Sequence, residues 1–249
     1  MLNFFTKNKV ALPFSFADVH THILPCVDDG VSSVKEALEL LSFLKERGVE
    51  RLFFTPHVMA DYPRNNASYL NERFRSFMEL YMEHTPDRYP EIRLAAEYML
   101  DEEFYFHLDK GLLTYDGIHA LVEMSCLQRP MGLEEMLYKI QLYNYVPVLA
   151  HPERYLFLSQ ADYIHLKELG CRFQLNLFSL QGLYGVSVKE NAERLLGNGL
   201  YDFIGSDIHS ANCTSLYENS FLKRKSGLLV KDLTEKNEVL FREKQSSIE

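Results

Sequence analysis

Residues 16–30 read FADVHTHILPCVDDG, so a short apolar run leads directly into two histidines separated by one residue. The run at 16–20 has the length and the apolar character of a buried β-strand. Side chains two positions apart in a strand point to the same side, so His20 and His22 can face one point at the strand's carboxyl end. Two imidazoles in this arrangement are a candidate metal-binding pair.

The rest of the chain repeats this pattern, because short apolar runs alternate with longer segments of helical period. Such alternation is typical of βα units around a parallel sheet. Seven runs are predicted to be strands, at 16–20, 51–55, 92–97, 120–124, 147–151, 172–177 and 202–206. The clearest helix signal follows the first run, where Ser33 and Glu36 form an S-x-x-E capping box. A chain of 249 residues has room for one α/β barrel of these units.

No Pro/Gly/Ser-rich linker divides the chain, so residues 1–249 are predicted to form a single domain with a core at about 16–210. Residues 215–249 are expected to form a helical C-terminal extension. The last 20 residues, 230–249, carry many charges and a thin apolar stripe. We expect them to be a peripheral helix or a frayed tail.

Composition and charge exclude several classes of protein. The chain is 47% hydrophobic and 24% charged, as folded globular proteins are. Its net charge of −9 has the wrong sign for binding nucleic acid through the phosphate backbone. No apolar run approaches the roughly 18 residues that span a bilayer, and no signal peptide is evident at the start. We therefore expect a cytoplasmic protein that is neither embedded in a membrane nor bound to nucleic acid.

The four cysteines are scattered along the chain and form no C-x-x-C pair. They are predicted to be reduced thiols rather than a disulfide framework. None of them has an arginine six positions downstream, which is the spacing that places a thiolate nucleophile beneath a phosphate-binding turn. Cysteine-based phosphatase chemistry is therefore not supported.

Metal-ligating side chains lie at the carboxyl ends of six of the seven predicted strands. Beyond His20 and His22, they are His57, Glu97, Glu123, His151, Asp207 and His209. Each one alone is explained by a cap, an ion pair or packing. Together they lie at the end of the strands where βα-barrel enzymes place their sites, so we predict a metal centre there. Asn176, near the end of the sixth strand, could bind substrate or water, or make only a local backbone hydrogen bond.

Taken in order, H-x-H, D-D-G, P-H, two strand-end glutamates, H-P-E-R and D-x-H resemble the polymerase and histidinol phosphatase (PHP) family of metal-dependent phosphoesterases. Within it, residues 20–25, 27–30 and 151–155 are similar to the bacterial protein-tyrosine phosphatases of capsular and exopolysaccharide operons. The resemblance covers about residues 16–210. It implies a distorted (β/α)7 TIM-like barrel of the PHP type.

The resemblance also implies three divalent metal ions, with manganese expected and iron or zinc as alternatives. The implied ligands are His20, His22, Glu97 and Asp207 for the first ion, Glu97, Glu123 and His151 for the second, and Asp28, His57 and His209 for the third. Asp29 is the alternative to Asp28. The implied reaction is direct attack on phosphorus by a hydroxide that bridges two ions.

Arg154, His151 and Asp207 are the catalytic residues that the resemblance implies, and Arg154 also binds the phosphate. The related phosphatases have a second arginine shortly after the final D-x-H, but here residues 210–214 read SANCT. Arg64, in a turn-rich loop, is a candidate substitute. Lys223 and Arg224 are further candidates.

Three functions remain open at this point. The first is a protein-tyrosine phosphatase that acts on the tail of a bacterial exopolysaccharide or capsule tyrosine kinase, with Tyr62 and Tyr155 available to stack on the phosphotyrosine ring. The second is a small-molecule phosphatase such as a histidinol-phosphate phosphatase. The third is a non-catalytic, metal-stabilised protein that binds the kinase. The oligomeric state is left open.

Overall fold

Parallel strands that alternate with helices form the frame of the molecule, as the sequence pattern predicts. The computed structural model describes residues 9–11, 16–85, 90–218 and 221–241. Its strands are β1 Lys9–Ala11, β2 Ala17–Thr21, β3 Arg51–Phe54, β4 His57–Val58, β5 Glu91–Leu94, β6 Glu97–Met99, β7 His119–Glu123, β8 Val146–Ala150, β9 Arg172–Asn176, β10 Phe203–Gly205 and β11 Phe221–Lys223. Its α-helices are α1 Val34–Glu46, α2 Ala67–His84, α3 Phe104–Lys110, α4 Leu133–Leu142, α5 Gln160–Glu168, α6 Val186–Gly197, α7 Thr214–Glu218 and α8 Arg224–Asn237.

The parallel strands form two sheets, with strand orders β2-β3-β5 and β10-β9-β8-β7-β6-β4. The predicted strands at 51–55 and 92–97 are each continued by a second short strand after a break. Pro56 has no N–H to give to a ladder, which explains the break between β3 and β4. Hydrogen bonds from Ala95 N to Phe54 O and from Glu97 N to Pro56 O keep the pieces side by side across the breaks.

The free edges of the two sheets meet through a parallel bridge between Thr21 and Ile208. His22 N donates to Ile208 O at 2.9 Å, and Asp207 N donates to His20 O at 2.8 Å. The seven predicted strand positions therefore follow one another around a distorted ring. Their carboxyl ends share one face of that ring.

Helix α1 shows how the sequence positions the first unit. Ser33 Oγ accepts from Glu36 N at 3.2 Å and caps the helix. The other half of the predicted capping box is shifted by one residue, because the Glu36 carboxylate accepts from Ser32 rather than Ser33. The apolar side of the helix, including Leu41 and Leu44, is buried in the main core.

The C-terminal segment corrects the expectation of a peripheral helix or a frayed tail, as far as residue 241. Val230 and Leu233 on α8 are buried, as are Leu240 and Phe241 in the short 3-10 helix Glu238–Phe241. The aromatic ring of Phe241 lies 4.5 Å from that of Phe53, and both side chains belong to the same buried cluster between the strands. The thin stripe is enough to attach the segment because these four apolar side chains all enter the core. Residues 242–249 lie outside the described part of the chain.

Among the described residues, none of the helices combines the length and the apolar character that crossing a bilayer requires.

Candidate metal centre and substrate cavity

The structure brings His20 and His22 together as strand periodicity predicts. Both side chains are fully buried, and their Nε2 atoms lie 3.1 Å apart. Glu97, the first residue of β6, places Oε2 3.2 Å from His20 Nε2 and 3.4 Å from His22 Nε2. Side chains from β2, from the residue that follows it and from β6 therefore point their ligand atoms at a common centre.

The other predicted ligands join this centre in overlapping groups. Within each group the ligand atoms lie within 4.8 Å of one another. The groups are His20, His22 and Asp207; His20, Glu97 and His151; His57, Glu97 and Glu123; and His22, Asp29, His57 and His209. Eight of the nine predicted ligands are members. Asp28 is the exception.

Asp28 does not enter a group because its oxygens already have partners. Oδ2 lies 2.8 Å from His22 Nδ1 and accepts from His57 N at 3.0 Å, while Oδ1 accepts from Gly30 N at 3.0 Å. Burial favours the protonated form, but His22 and His57 lower the pKa of Asp28 to about 2. Asp28 therefore orients His22 so that its Nε2 faces the centre.

Asp29 is the carboxylate that reaches the histidines at this corner. Its Oδ1 lies 3.4 Å from His57 Nε2 and 3.6 Å from His209 Nε2. Its side chain is 56% exposed, so it faces the solvent side of the cluster. Of the two adjacent aspartates, Asp29 is the one whose ligand atom lies with those of His22, His57 and His209.

Two residues of the cluster have a left-handed backbone, which non-glycine residues rarely adopt. His151 has φ 34° and Asp207 has φ 56°. Each follows a strand directly or nearly so, and each turns its side chain into the cluster. Such conformations cost of order 1–3 kcal/mol and are concentrated at functional sites.

Two glycines permit the close packing around the histidine pair. A Cβ added to Gly30 would lie 2.1 Å from His22 O, and one added to Gly205 would lie 2.5 Å from His20 Cβ. Neither neighbour is the mobile end of a side chain. The glycine of the D-D-G motif is therefore required by the approach of backbone to backbone.

Three buried ligand atoms make no well-aligned hydrogen bond, although they converge: His57 Nδ1 lies 2.9 Å from Glu123 Oε1 and 3.2 Å from Glu97 Oε2. Buried polar atoms are almost always paired, since an unpaired one costs free energy. The cluster offers only imidazole nitrogens and carboxylate oxygens, which suit divalent manganese, iron or zinc. The residues present therefore fit the metal centre that the sequence predicts.

Charges in the cluster are strongly coupled. Burial by itself would lower the pKa of His22, but Asp28 and Glu97 raise it to about 10. Burial would raise the pKa of Glu97, but His20, His22 and His151 hold it well below its usual range. The carboxylates thus favour bound positive charge, in the form of protons on the imidazoles or of cations that displace those protons.

An open cavity of about 750 Å³ lies over the cluster. The described residues that line it include Asp29, His57, Glu123, His151, Asp207 and His209, and Arg154 is the one Lys or Arg among them. Arg154 Nη1 lies 3.4 Å from Asp207 Oδ2, and the guanidinium lies 4.6 Å from the centre of the Tyr184 ring. The predicted phosphate-binding arginine is therefore beside the cluster.

Residues 16–219 match the sequence model of a family described as capsular polysaccharide synthesis, CpsB/CapC. This chain belongs to the CpsB/CapC family. The tyrosine-protein phosphatase YwqE of Bacillus subtilis (strain 168) is 30% identical over 240 residues, which are 90% of this chain and 91% of YwqE. The putative tyrosine-protein phosphatase CapC of Staphylococcus aureus is 27% identical over 206 residues, which are 78% of this chain and 76% of CapC.

A solved structure agrees with the family assignment. A chain from the crystal structures of YwqE from Bacillus subtilis and CpsB from Streptococcus pneumoniae, described as unique metal-dependent tyrosine phosphatases, superimposes with a TM-score of 0.76. The two chains are 26% identical, and the match covers 91% of this chain and 94% of the other. The resemblance and the fold predicted from the motifs are confirmed.

The H-P-E-R motif of this CpsB/CapC family member holds Arg154 through a buried neighbour. Glu153 accepts from Asn176 N at 3.0 Å and from Tyr201 OH at 3.0 Å. Burial raises the pKa of this fully buried carboxyl group. Glu153 therefore anchors the turn after His151, and the next residue, Arg154, projects over the cavity.

The other predicted cations lie away from the cavity. Arg64 is exposed, its guanidinium lies 5.9 Å from the Tyr69 ring centre, and it is not among the lining residues. Lys223 is exposed and pairs with Glu193 at 2.9 Å. Arg224 is also exposed and does not line the cavity. The structure brings none of the three to the site.

The two tyrosines predicted to stack on a substrate ring have different positions. Tyr62 lies parallel to the His57 ring at 6.1 Å and is partly exposed. Tyr155 is fully buried, and its hydroxyl accepts from Met124 N at 3.0 Å and lies 3.4 Å from His151 Nδ1. Tyr155 therefore supports His151 and cannot stack on a substrate.

Sequence reasoning missed Tyr184, which lines the cavity. Its hydroxyl lies 3.2 Å from Asp207 Oδ2, and Asn176 Nδ2 lies 2.8 Å from the same oxygen. Asn176 also accepts from Phe178 N at 2.9 Å, so it makes the expected backbone bond and a second contact to Asp207. Tyr184 follows the sixth strand by eight residues, and no motif marks it.

Proposed function

We propose that this CpsB/CapC family member is a metal-dependent phosphomonoester hydrolase that acts on phosphotyrosine in proteins. The observation that carries the proposal is one cavity that joins a cluster of imidazoles and carboxylates to a single guanidinium. The names of the relatives, which are tyrosine-protein phosphatases, support the same activity.

Three divalent cations are proposed to occupy the cluster, with manganese as the expected ion and iron or zinc as alternatives. The proposed ligands are His20, His22 and Asp207; Glu97, Glu123 and His151; and Asp29, His57 and His209, with Glu97 shared. Divalent cations supply Lewis acidity toward phosphoryl oxygens and activate water near neutral pH. Asp28 is proposed to orient His22 instead of binding metal.

The chain's own residues place the phosphate next to the cluster. The planar fork of Arg154 can donate to two phosphoryl oxygens at once. Because Arg154 lies beside Asp207, a phosphate that it holds also faces the ligand atoms of Asp207 and His151. These three residues are the proposed catalytic set.

The leaving group favours an aryl over an alkyl phosphate. The phenol of tyrosine has a pKa of about 10, well below that of an alkyl alcohol, so it departs with less help from a general acid. The titratable groups of the cluster are engaged with one another, as the contacts of Glu97 and Asp207 illustrate. A phosphotyrosyl side chain therefore suits this cavity better than an alkyl phosphate.

The proposed protein substrate is the tail of a bacterial tyrosine kinase that serves capsule or exopolysaccharide synthesis, and the proposed location is the cytoplasm. The family description, capsular polysaccharide synthesis, supports the pathway. The net charge of −9 argues against nucleic acid as a partner.

The substrate class is tested by comparing kcat/KM for a phosphotyrosyl peptide and for histidinol phosphate in the presence of Mn²⁺. We expect the peptide to be preferred. A preference of more than a hundredfold for histidinol phosphate would identify the protein as a small-molecule phosphatase. No hydrolysis of either compound would support the non-catalytic alternative.

Removing the metal tests the centre itself. Chelation followed by dialysis is expected to abolish hydrolysis and to lower the melting temperature, since ligands that bind only the folded form stabilise it by mass action. Adding back Mn²⁺, Fe²⁺ or Zn²⁺ one at a time then ranks the ions by recovered activity and melting temperature. An unchanged melting temperature after verified metal removal contradicts an occupied cluster.

A further inference from the structure

We propose that Tyr184 is a positioning residue that holds Arg154 and Asp207 in one fixed arrangement, so that the phosphate-binding guanidinium and the metal-binding carboxylate stay aligned. The inference rests on the proposed function. Tyr184 is not proposed to touch the reacting atoms, since it acts through its two neighbours.

The first contact is the one to Arg154. The guanidinium carbon lies 4.6 Å from the centre of the Tyr184 ring, within the range of a cation–π interaction. Among the described residues that line the cavity, no other arginine or lysine is available to hold a phosphate. The orientation of Arg154 therefore decides how the phosphate is held, and the tyrosine ring restricts that orientation.

The second contact is the one to Asp207. The hydroxyl of Tyr184 lies 3.2 Å from Asp207 Oδ2, and Asn176 Nδ2 lies 3.1 Å from the same hydroxyl. Because Nδ2 of Asn176 can only donate, the hydroxyl oxygen of Tyr184 accepts from it, and the hydroxyl hydrogen is directed to the carboxylate of Asp207. The tyrosine therefore acts as a donor to Asp207.

The two oxygens of Asp207 have separate surroundings. Oδ1 lies 3.4 Å from His20 Nε2 and 3.5 Å from His22 Nε2, on the side of the cluster. Oδ2 faces Tyr184, Asn176 and Arg154. Donors that fix the second oxygen of a ligating carboxylate orient the first, and their loss typically weakens metal binding or activity by about 10- to 100-fold.

Two substitutions separate the two contacts. Tyr184→Phe keeps the ring beneath Arg154 and removes the donor to Asp207. We expect Mn²⁺ affinity, measured by calorimetric titration of the metal-free protein, to fall about tenfold. The KM for a phosphotyrosyl peptide at saturating Mn²⁺ should then stay within about twofold of the parent value, because the ring still supports the guanidinium.

Tyr184→Leu removes both contacts. Its Mn²⁺ affinity should fall as in the phenylalanine variant, and its KM for the peptide should also rise about tenfold. The control is Tyr138→Leu, since Tyr138 is an exposed tyrosine on α4 and does not line the cavity. Equal KM values for the two Tyr184 variants would overturn the proposed contact to Arg154.

A double-mutant cycle tests whether Tyr184 acts through Arg154. In an Arg154→Ala background, adding Tyr184→Leu should raise KM no further, because residues that act as a unit give non-additive effects. Additive effects on KM would overturn the proposal. If Tyr184→Leu does not fold, the Mn²⁺ affinity of Tyr184→Phe is the remaining test. An affinity equal to that of the parent protein then overturns the proposal.

The outcome is separable from that of the proposed function. If the parent protein does not hydrolyse the peptide, the proposed function fails. Calorimetric titrations with Mn²⁺, and with inorganic phosphate on the Mn²⁺-loaded protein, still measure both contacts without turnover. We expect weaker phosphate binding for Tyr184→Leu than for Tyr184→Phe.

Discussion

The ligand cluster and Asn237, at opposite ends of the ring of strands, use buried polar groups in different ways. At the carboxyl ends, His57 Nδ1, Glu97 Oε2 and Glu123 Oε1 are buried close to one another but make no well-aligned hydrogen bond. At the amino ends, the buried amide of Asn237 has a partner for every group. Its Oδ1 accepts from Ile204 N at 3.0 Å, and its Nδ2 donates to the carbonyls of Ala17 and Ile204.

This difference in hydrogen bonding indicates that Asn237 serves stability and that the cluster serves binding. The fully bonded amide of Asn237 stabilises the fold, whereas the converging ligand atoms of the cluster are available to a cation. The amino end is also filled by Leu240 and Phe241, while the carboxyl end opens into the cavity. Substitutions at the two ends should therefore change different measured quantities.

The largest expected effect belongs to the carboxyl end. Glu97→Gln removes one anionic oxygen that faces three imidazoles, those of His20, His22 and His57. We expect kcat/KM for a phosphotyrosyl peptide to fall at least about a thousandfold, because metal-assisted charge stabilisation is worth several kcal/mol. Steady-state kinetics in the presence of Mn²⁺ measure this fall in kcat/KM.

The matched control for this variant is Glu91→Gln, since Glu91 is an exposed residue of the neighbouring strand β5. It should retain the activity of the parent protein. If Glu97→Gln kept more than a tenth of that activity, the Glu97 carboxylate would have no essential role in the reaction.

The second-largest expected effect is a loss of stability caused by a substitution at the amino end. Asn237→Ala leaves the groups of Ile204 and Ala17 without partners in a fully buried place. The free energy of unfolding should fall by about 3 kcal/mol, while kcat/KM of the folded protein stays within about threefold. Urea unfolding monitored by circular dichroism gives the first quantity, and the peptide assay gives the second.

Asn71→Ala is the control here, because Asn71 is exposed on α2 and bonds only locally, to Ala67 O. Its unfolding free energy should change by less than about 0.5 kcal/mol. A loss of activity in Asn237→Ala at unchanged stability would reverse the contrast between the two ends.

The smallest effect concerns Asp116, which precedes β7 at the amino end. Its carboxylate accepts from Ile118 N at 3.1 Å and from His119 N at 3.0 Å, and it pairs with His119 Nδ1 at 2.8 Å. Burial favours the protonated form, but the bonds to His119 lower the pKa of Asp116 overall. Asp116→Asn should lower the free energy of unfolding by about 1 kcal/mol at pH 7.

The pH dependence of this difference follows from the sign of the shift. A carboxyl group with a lowered pKa stabilises the fold above its unfolded pKa of about 3.9, and this contribution is lost as the pH falls through the lower, folded value. The parent and the Asn variant should therefore converge in stability below about pH 3.9. A difference that grows on acidification would contradict the assignment.

The strands and most of the cluster follow from the sequence because their causes are local. Strand periodicity places His20 and His22 on one side, and alternating βα units bring the ends of separate strands to one face. The prediction of Glu97 and His151 as neighbours needed only the positions at which the strands end. The structure gives 3.0 Å between Glu97 Oε1 and His151 Nε2.

The remaining features depend on contacts that no local pattern records. Asp28 and Asp29 are adjacent in one turn, and they are distinguished by the contacts of Asp28 to His22 Nδ1, Gly30 N and His57 N, which no local pattern predicts. The thin stripe near the C terminus gave no sign that Phe241 meets Phe53. Tyr184 reaches Asp207 across 23 positions of sequence, and it has no motif of its own.

The left-handed backbone of His151 and Asp207 has a consequence for the history of the family. Glycine adopts such a conformation more readily than either residue does. In a duplicated gene that no longer had to perform the reaction, substitution of either residue by glycine would relieve this backbone strain. Glycine at either position in a relative would therefore mark a pseudoenzyme, recognisable from its sequence before any assay.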